Sequence, residues 1–463
     1  MSRLQTQFVC QSCGYESPRW LGRCHSCGEY GTFVEEVVAR KPDQQKSASA
    51  AALRVLPLSA VERQSLRRIT AASGRSSLGQ EFDRVVGGGL VPGSVLLLGG
   101  EPGIGKSTLL LQLLTGLTHQ GIPALYISGE ESPEQLALRA ERLGCGGDKL
   151  LVTGETNLDS IQAAFQMSNP SVAVIDSIQT VWNPDLPSAA GTVGQIREST
   201  AALVRLAKET GTVLFLVGHV TKDGSIAGPK VIEHIVDCVL TFEGDAHHAF
   251  RILRATKNRF GATHEAGIFE MRSHGLVPVA NPSQLFLENS ASLEPGVSGI
   301  CVTACLEGSR PILAEVQALV TPSYFGTPRR VTTGVDYNRC CLIIAVLEKR
   351  LGFPLGAQDV HVNVVGGLRL TEPASDLAVA MACISSFRDQ PLKKGTVCFG
   401  EVGLAGEVRA VRSMARRVEE AARLGFSRCV LPRSSERLKK ADIECVVVRT
   451  VQEAMQRGLD GGN

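Results

Sequence analysis

The sequence predicts an α/β protein built on a parallel sheet covered by helices, and three observations carry that reading. Short apolar runs alternate with amphipathic stretches between residues 94 and 219, the pattern of strands joined by crossover helices. A glycine-rich stretch, Gly100-Glu101-Pro102-Gly103-Ile104-Gly105-Lys106-Ser107, separates the first apolar run from the first helix. Two C-x-x-C pairs stand at the front of the chain, in a segment too short for a core of its own.

Cys10 and Cys13 form the first pair and Cys24 and Cys27 the second. Four thiolates on two turns suit the tetrahedron that structural Zn²⁺ prefers. Gly14 and Gly28 follow each pair, where a knuckle turn needs a permissive backbone. A redox dithiol is the alternative, and the doubling of the pair weighs against it. His25 lies between the ligands as a bystander. Such a closed site positions a partner or nucleic acid rather than doing chemistry. Residues 1–35 are therefore expected to be a zinc knuckle and 36–65, rich in Lys, Gln, Ser and Ala, a linker.

The central domain is expected over 66–285. Ser94–Leu98 reads as a buried strand, and a helix continues from Thr108 to Leu114. Strands follow at Ala124–Ser128, Leu150–Val152, Val172–Asp176 and Val213–His219, with helices at Pro133–Leu143, Ile161–Met167 and Ile196–Thr210. Ligands gather at the carboxyl ends of such strands. The glycines of 100–105 let N–H groups turn inward around phosphate oxygens, and the helix that opens with Lys106, Ser107 and Thr108 adds its positive end. Lys106 would reach the β- and γ-phosphates of ATP and Ser107 would hold Mg²⁺. Asp176, at a strand end, is placed to hold Mg²⁺ through water. Glu130 and Glu131 also end a strand, and Glu130 is the choice for orienting the attacking water. His219 either senses the phosphate state or is structural. Two segments on the same edge, 182–191 and 221–230 with Lys222 and Lys230, read as mobile candidates for a polymer-contacting surface, or as plain loops. Lys257-Asn258-Arg259-Phe260-Gly261 is a phosphate clamp on DNA, an arginine finger for a neighbouring subunit's ATP, or a solvated basic turn.

The four-cysteine knuckle, Gly100–Ser107, Asp176 and Lys257–Gly261 together resemble the bacterial RadA (Sms) DNA-repair family, in this order and over essentially the whole chain. The resemblance implies an N-terminal zinc finger, a RecA-like P-loop ATPase core and a Lon-protease-like C-terminal α/β domain. It implies recombinational repair, binding of single-stranded and branched DNA, branch migration, and a homo-hexameric ring like that of the DnaB helicase. It further implies DNA-dependent roles for Lys257 and Arg259, and that the two loop segments correspond to the DNA-binding loops of RecA. A recombinase or replication partner is expected at the knuckle.

The C-terminal domain is expected over 286–463. Gly299–Gly308 and Ile312–Val320 read as a hairpin, Asp336 opens a helix to Leu351, and Asp359–Val365 is a strand. The resemblance to Lon raises an ATP-dependent protease as a rival. Laid on the Lon motifs, Ala374 takes the nucleophile position and Ala415 the lysine position, with Ser375 one residue late. Without nucleophile and base there is no route to an acyl-enzyme, so proteolysis is not expected. Two further rivals use ATP differently: a remodeller of protein partners, or a phosphotransferase of the clock-protein type. Arg409, Arg412, Arg416 and Arg417, with Arg329-Arg330 and Lys439-Lys440, form either a DNA-tracking surface or solvated helix faces.

Composition limits the rest. Of the fourteen cysteines, the ten beyond the knuckle are scattered through apolar segments, which suits a reducing compartment. A net charge of +2 gives no global pull toward nucleic acid, so any basic surface is local. No run reaches a membrane span of about 20 apolar residues, and no secretory h-region opens the chain, so a cytoplasmic location is expected.

Overall fold

The computed structural model describes residues 4–10, 15–26, 28–39, 67–72, 77–219, 230–244, 250–263, 265–287, 297–324, 326–433 and 443–460. They fall into two compact units, Met1–Pro278 and Val279–Asn463.

The first unit opens with three antiparallel strands, β1 (Leu4–Cys10), β2 (Glu16–Ser17) and β3 (Phe33–Ala39), in the order β2-β1-β3. β3 continues past residue 35, where the knuckle was expected to end. The helix α1 (Ser77–Val86) then leads into β4 (Val95–Gly100) and α2 (Lys106–His119). Next come β5 (Ala124–Ser128), α3 (Pro133–Leu143), β6 (Leu150–Thr153), α4 (Leu158–Ser168), β7 (Val172–Asp176), α5 (Val193–Thr210) and β8 (Val213–His219). The unit ends with α6 (Lys230–Ile235), β9 (Cys238–Glu243), β10 (Phe250–Asn258), β11 (Ala266–Arg272) and β12 (Gly275–Pro278).

The helix boundaries have local causes. Ser132 caps α3 in a reciprocal box with Gln135, Pro133 holds the first position, and Gly144 ends the helix in the left-handed region at φ 63°. Asn157 caps α4 through Asp159 N–H.

Nine strands form one sheet in the order β12-β11-β10-β9-β4-β8-β7-β5-β6. From β9 to β6 all pairings are parallel, as the alternation of strands and helices predicts. β10, β11 and β12 extend it antiparallel. Side chains alternate across the sheet. Leu96 and Leu98 of β4 join the core under α1, α2 and α3, while Val95 and Leu97 join the core with α4 and α5.

The second unit starts with α7 (Pro282–Leu287) and the hairpin β13 (Ile300–Glu307) and β14 (Arg310–Pro322). It continues through β15 (Arg330–Thr333), α8 (Tyr337–Leu351), β16 (Gln358–Val364), α9 (Asp376–Arg388) and β17 (Thr396–Cys398). It closes with β18 (Glu401–Val402), β19 (Val408–Arg409), α10 (Met414–Arg423), β20 (Arg428–Pro432), β21 (Glu444–Val448) and α11 (Val451–Gly458). Its main sheet runs β15-β16-β14-β13-β17-β20-β21.

Candidate active site

β4 delivers the glycine-rich loop to the carboxyl edge of the sheet, between β8 and β9. Gly100 must lack a side chain, because a Cβ there would lie 2.7 Å from the Phe242 carbonyl oxygen. Gly103 and Gly105 take φ of 77° and 113°, which turns the loop back into α2. No side chain caps α2, so its first-turn N–H groups, at Lys106, Ser107 and Thr108, face the loop. Lys106 is buried and its Nζ donates to the carbonyl oxygens of Gly100 at 2.8 Å and Glu101 at 3.0 Å. Burial pulls its amine below the ordinary lysine range, and the Asp176 and Glu130 carboxylates oppose that shift. Glu101, Pro102 and Gly103 are exposed, while Ile104 anchors the loop in the core. A buried cation inside a cradle of backbone N–H groups fits a polyphosphate.

Asp176 ends β7 and is buried. β5 pairs with β7 in a register that sets Ser128 opposite Asp176, so the chain leaving β5 passes this carboxylate. Gly129 makes the passage possible: a Cβ there would fall 1.9 Å from Thr180 Oγ1. Beyond it the two glutamates part. Glu131 is ion-paired with Arg139, whereas Glu130 is exposed and acts on Lys106 through its charge. Lys106, Glu130 and Asp176, far apart in sequence, thus meet at one strand edge with Ser107. A carboxylate and a hydroxyl beside the buried lysine form an oxygen donor set of the kind Mg²⁺ takes.

Two residues here were not singled out in the sequence. The Tyr126 hydroxyl donates to Asp176 Oδ2 at 2.6 Å, with both groups buried. Arg251 is buried on β10, and its Nε donates to the Ile104 carbonyl oxygen in the loop at 3.1 Å. A signal for Arg251 was present: it shares strand parity with buried Leu253 and Ala255.

The segment Lys257–Gly261 is braced. β10 runs on through Lys257 and Asn258, so these two residues belong to the strand rather than following it. Lys257 Nζ donates to the carbonyl oxygens of Glu233 at 2.6 Å, His234 at 3.2 Å and Val236 at 2.8 Å, where the last turn of α6 offers unpaired acceptors. Burial and then Arg259 hold its amine low, with Asp237 and Glu233 opposing. Asn258 donates to Val86 O at 3.1 Å and accepts from Phe260 N at 2.9 Å. Arg259 pairs with buried Asp237 at 3.0 Å yet is 50% exposed. A Cβ at Gly261 would meet Asn258 Nδ2 at 2.9 Å and the Gly87 Cα at 3.0 Å, so a side chain there would have to displace the Asn258 amide. The solvated-turn reading is therefore corrected for Lys257, whose ammonium is bonded to three carbonyls. Arg259 and Phe260 keep exposed surface.

The 182–191 segment is anchored to α5. The buried Gln195 side chain binds Asn183 N and O, Leu186 O and Ser188 O at 2.7–3.3 Å. Lys222 lies outside the described residues, as do the side chains of His219 and Lys230.

In the ribbon, Cys10 and Cys24 are buried together against Phe33. Cys24 Sγ accepts from Ser26 N at 3.4 Å, and Gly28 N donates to Cys24 O at 2.9 Å, so backbone N–H groups turn in around the Cys24 sulfur and carbonyl. Cys13 and Cys27 lie outside the described residues. The donor chemistry fits Zn²⁺.

Comparison with known proteins follows this anatomy. Residues 8–35 match the rubredoxin metal binding domain, 62–225 the AAA domain and 341–435 subunit ChlI of Mg-chelatase. The DNA repair protein RadA of Bacillus subtilis (strain 168) is 50% identical over 467 residues, covering 100% of each chain. The chain belongs to the RadA family. RadA of Listeria monocytogenes is 50% identical over 457 residues, covering 98% of each chain. RadA of Streptococcus pyogenes serotype M1 is 48% identical over 460, covering 98% of this chain and 99% of that one. A KaiC-like protein from Pyrococcus horikoshii OT3 is 23% identical and covers 46% of this chain and 99% of its own, at a TM-score of 0.38. The expected fold class holds: a zinc ribbon, a RecA-like P-loop core and a Lon-like C-terminal domain. The AAA match implies an ATP-hydrolysing enzyme using ATP with Mg²⁺, and the ribbon implies Zn²⁺. Among the described residues, no helix is long and apolar enough to cross a membrane.

The Lon-like domain of this RadA-family chain corrects one expectation. Arg417 is not part of a basic surface: it is 0% exposed, ion-paired with Glu372 and bonded to the carbonyl oxygens of Ala304 and, at 3.0 Å, Arg412. α10 explains why, because Met414, Arg417, Val418 and Ala421 form its buried stripe. Arg409 pairs with Glu407, and Arg416 donates to Ser309 O at 3.2 Å. Arg330 is spent on the Leu355 and Gln358 carbonyls. Lys439 and Lys440 lie outside the described residues. Ala374 is buried, and the buried Ser375 hydroxyl donates to the Glu372 carbonyl oxygen at 3.0 Å.

A ligand-removal experiment belongs to the ribbon. Cys24→Ser is expected to lose the zinc and, with it, protection of the β1–β3 amides, because among the described residues the buried cluster of this small sheet is Cys10, Cys24 and Phe33, two of them expected zinc ligands. Native mass spectrometry and hydrogen exchange check it.

Proposed function

We propose that this chain is a DNA-dependent ATPase of recombinational repair. It binds single-stranded and branched DNA and drives branch migration as a homo-hexameric ring. Lys106 and the N–H groups of Gly103 to Thr108 would hold the phosphates. Ser107 and Asp176 would hold Mg²⁺, whose charge offsets that building on the phosphoryl oxygens. Glu130 would orient the attacking water. Lys222, Lys230, Arg259 and Phe260 would meet DNA or a neighbouring subunit, with Lys257 and Asn258 bracing them. The layout follows: knuckle 1–35, which docks a recombinase or replication partner; linker 36–65; ATPase 66–285; proteolytically inactive Lon-like scaffold 286–463. The location is cytoplasmic.

The observation that carries this reading is β10. Arg251 near its start bonds the nucleotide loop, and its far end carries Lys257 and Asn258. One strand, with a register shift against β9 between Ala255 and Lys257, therefore links the nucleotide loop to the basic segment, a route by which a change at one would bias the other.

ATP turnover with and without single-stranded DNA, at low and moderate salt, tests it. Stimulation that weakens as salt rises is expected, since phosphate contacts release counterions. Turnover indifferent to DNA would overturn the DNA-driven reading and leave a protein-remodelling ATPase.

A further inference from the structure

β5 is aliphatic apart from Tyr126 and the terminal Ser128. Its sequence, Ala-Leu-Tyr-Ile-Ser, is wholly buried, and Tyr126 packs in the core that includes Val172 and Val174 of β7 and Leu109 and Leu113 of α2. Phenylalanine would supply the same ring. The hydroxyl is the part that packing does not require, and a buried hydroxyl is destabilising unless it is bonded. It is bonded at the chemistry: Tyr126 Oη donates to Asp176 Oδ2 at 2.6 Å. The Ser107 side chain lies near the same hydroxyl. Tyr126 thus stands between the two side chains read as the magnesium pair, on the sheet face covered by α2.

We propose that Tyr126 is the positioning residue of the metal site. Its hydroxyl clamps one Asp176 oxygen, which fixes the direction of the other, close to Ser107 at the start of α2. A carboxylate held this way meets the metal without first losing rotamer freedom, and loss of such an outer partner costs metal affinity about 10–100-fold. The inference rests on the reading of Ser107 and Asp176 as the magnesium residues.

The test is Tyr126→Phe in the full chain, with Asp176→Asn beside it. Binding of a fluorescent ADP is titrated in EDTA and then against Mg²⁺, and each protein is melted. For Tyr126→Phe, metal-free ADP binding should stay within about twofold of wild type while the Mg²⁺ concentration for half-maximal effect rises at least about tenfold. Mn²⁺ should restore much of the loss. An unchanged Mg²⁺ midpoint in Tyr126→Phe overturns the proposal if Asp176→Asn shifts it. If Asp176→Asn leaves the midpoint in place, the magnesium reading of Asp176 fails instead. A collapse of metal-free binding or of the melting temperature in Tyr126→Phe would mark the hydroxyl as a packing element and also overturn the proposal.

Discussion

Replacing Lys106 with alanine is expected to cut ATP turnover by at least about 10²–10³-fold, the range seen when a preorganised group aimed at developing transition-state charge is removed. The geometry argues for the upper end. Lys106 is only 5% exposed and sits at the base of the glycine loop, so water cannot replace its charge. It also stands between two carboxylates, Asp176 and Glu130, that would otherwise repel an incoming polyphosphate. Lys106→Arg should fail almost as badly, because a planar guanidinium does not fit a pocket shaped around one ammonium and two carbonyl oxygens. The fold should survive in both, since the surrounding core is held by Leu109, Leu110 and Phe242. Initial rates with a matched melting curve decide it, and Lys106→Ala turning over within about tenfold of wild type would remove this lysine from the role assigned to it.

Much of the fold was legible because the sheet is local in its logic. β5, β7 and β8 are short apolar runs, and α3 is bounded by Ser132-Pro133 and Gly144, so residue type alone marks their limits. The glycine loop and Asp176 were legible for the same reason: motif and strand end coincide. What escaped depends on partners distant in sequence. The antiparallel sense of β10 to β12 is set by pairing, not by composition. Lys257 looked like surface charge because nothing near it in sequence shows that the end of α6 lies within reach of its ammonium. Tyr126 was read only as strand, since hydroxyl partners across strands leave no periodic trace. Arg417 is different. Met414, Val418 and Ala421 mark an apolar stripe that includes position 417, so helical spacing already set this arginine inside, and the habit of reading arginine as surface overrode it.

That buried arginine gives the second large effect, this time on stability. Glu372→Ala is expected to destabilise the C-terminal unit by about 3–5 kcal/mol, because removing one partner leaves an uncompensated buried charge. Arg417 has no exposed surface; besides Glu372 its guanidinium bonds two backbone carbonyls, and it lies 6.0 Å from the Phe399 ring centre. Those contacts orient it without neutralising it. Arg417→Ala should cost a similar amount for another reason, since it leaves a cavity in the core under α10 and strips the Ala304 carbonyl of a donor. The pair is not inherently stabilising, however, because both groups lose hydration on folding. Glu372→Leu with Arg417→Met should therefore recover most of the loss. Recovery stops short of wild type, since Leu306 N–H donates to the other Glu372 oxygen at 2.9 Å and would be stranded. Hydrogen exchange at β13 and α10 in the full chain reads all three variants. A loss under about 1 kcal/mol in Glu372→Ala, the range of an exposed pair, would mean the guanidinium is satisfied by carbonyl oxygens alone and that Glu372 is incidental to it.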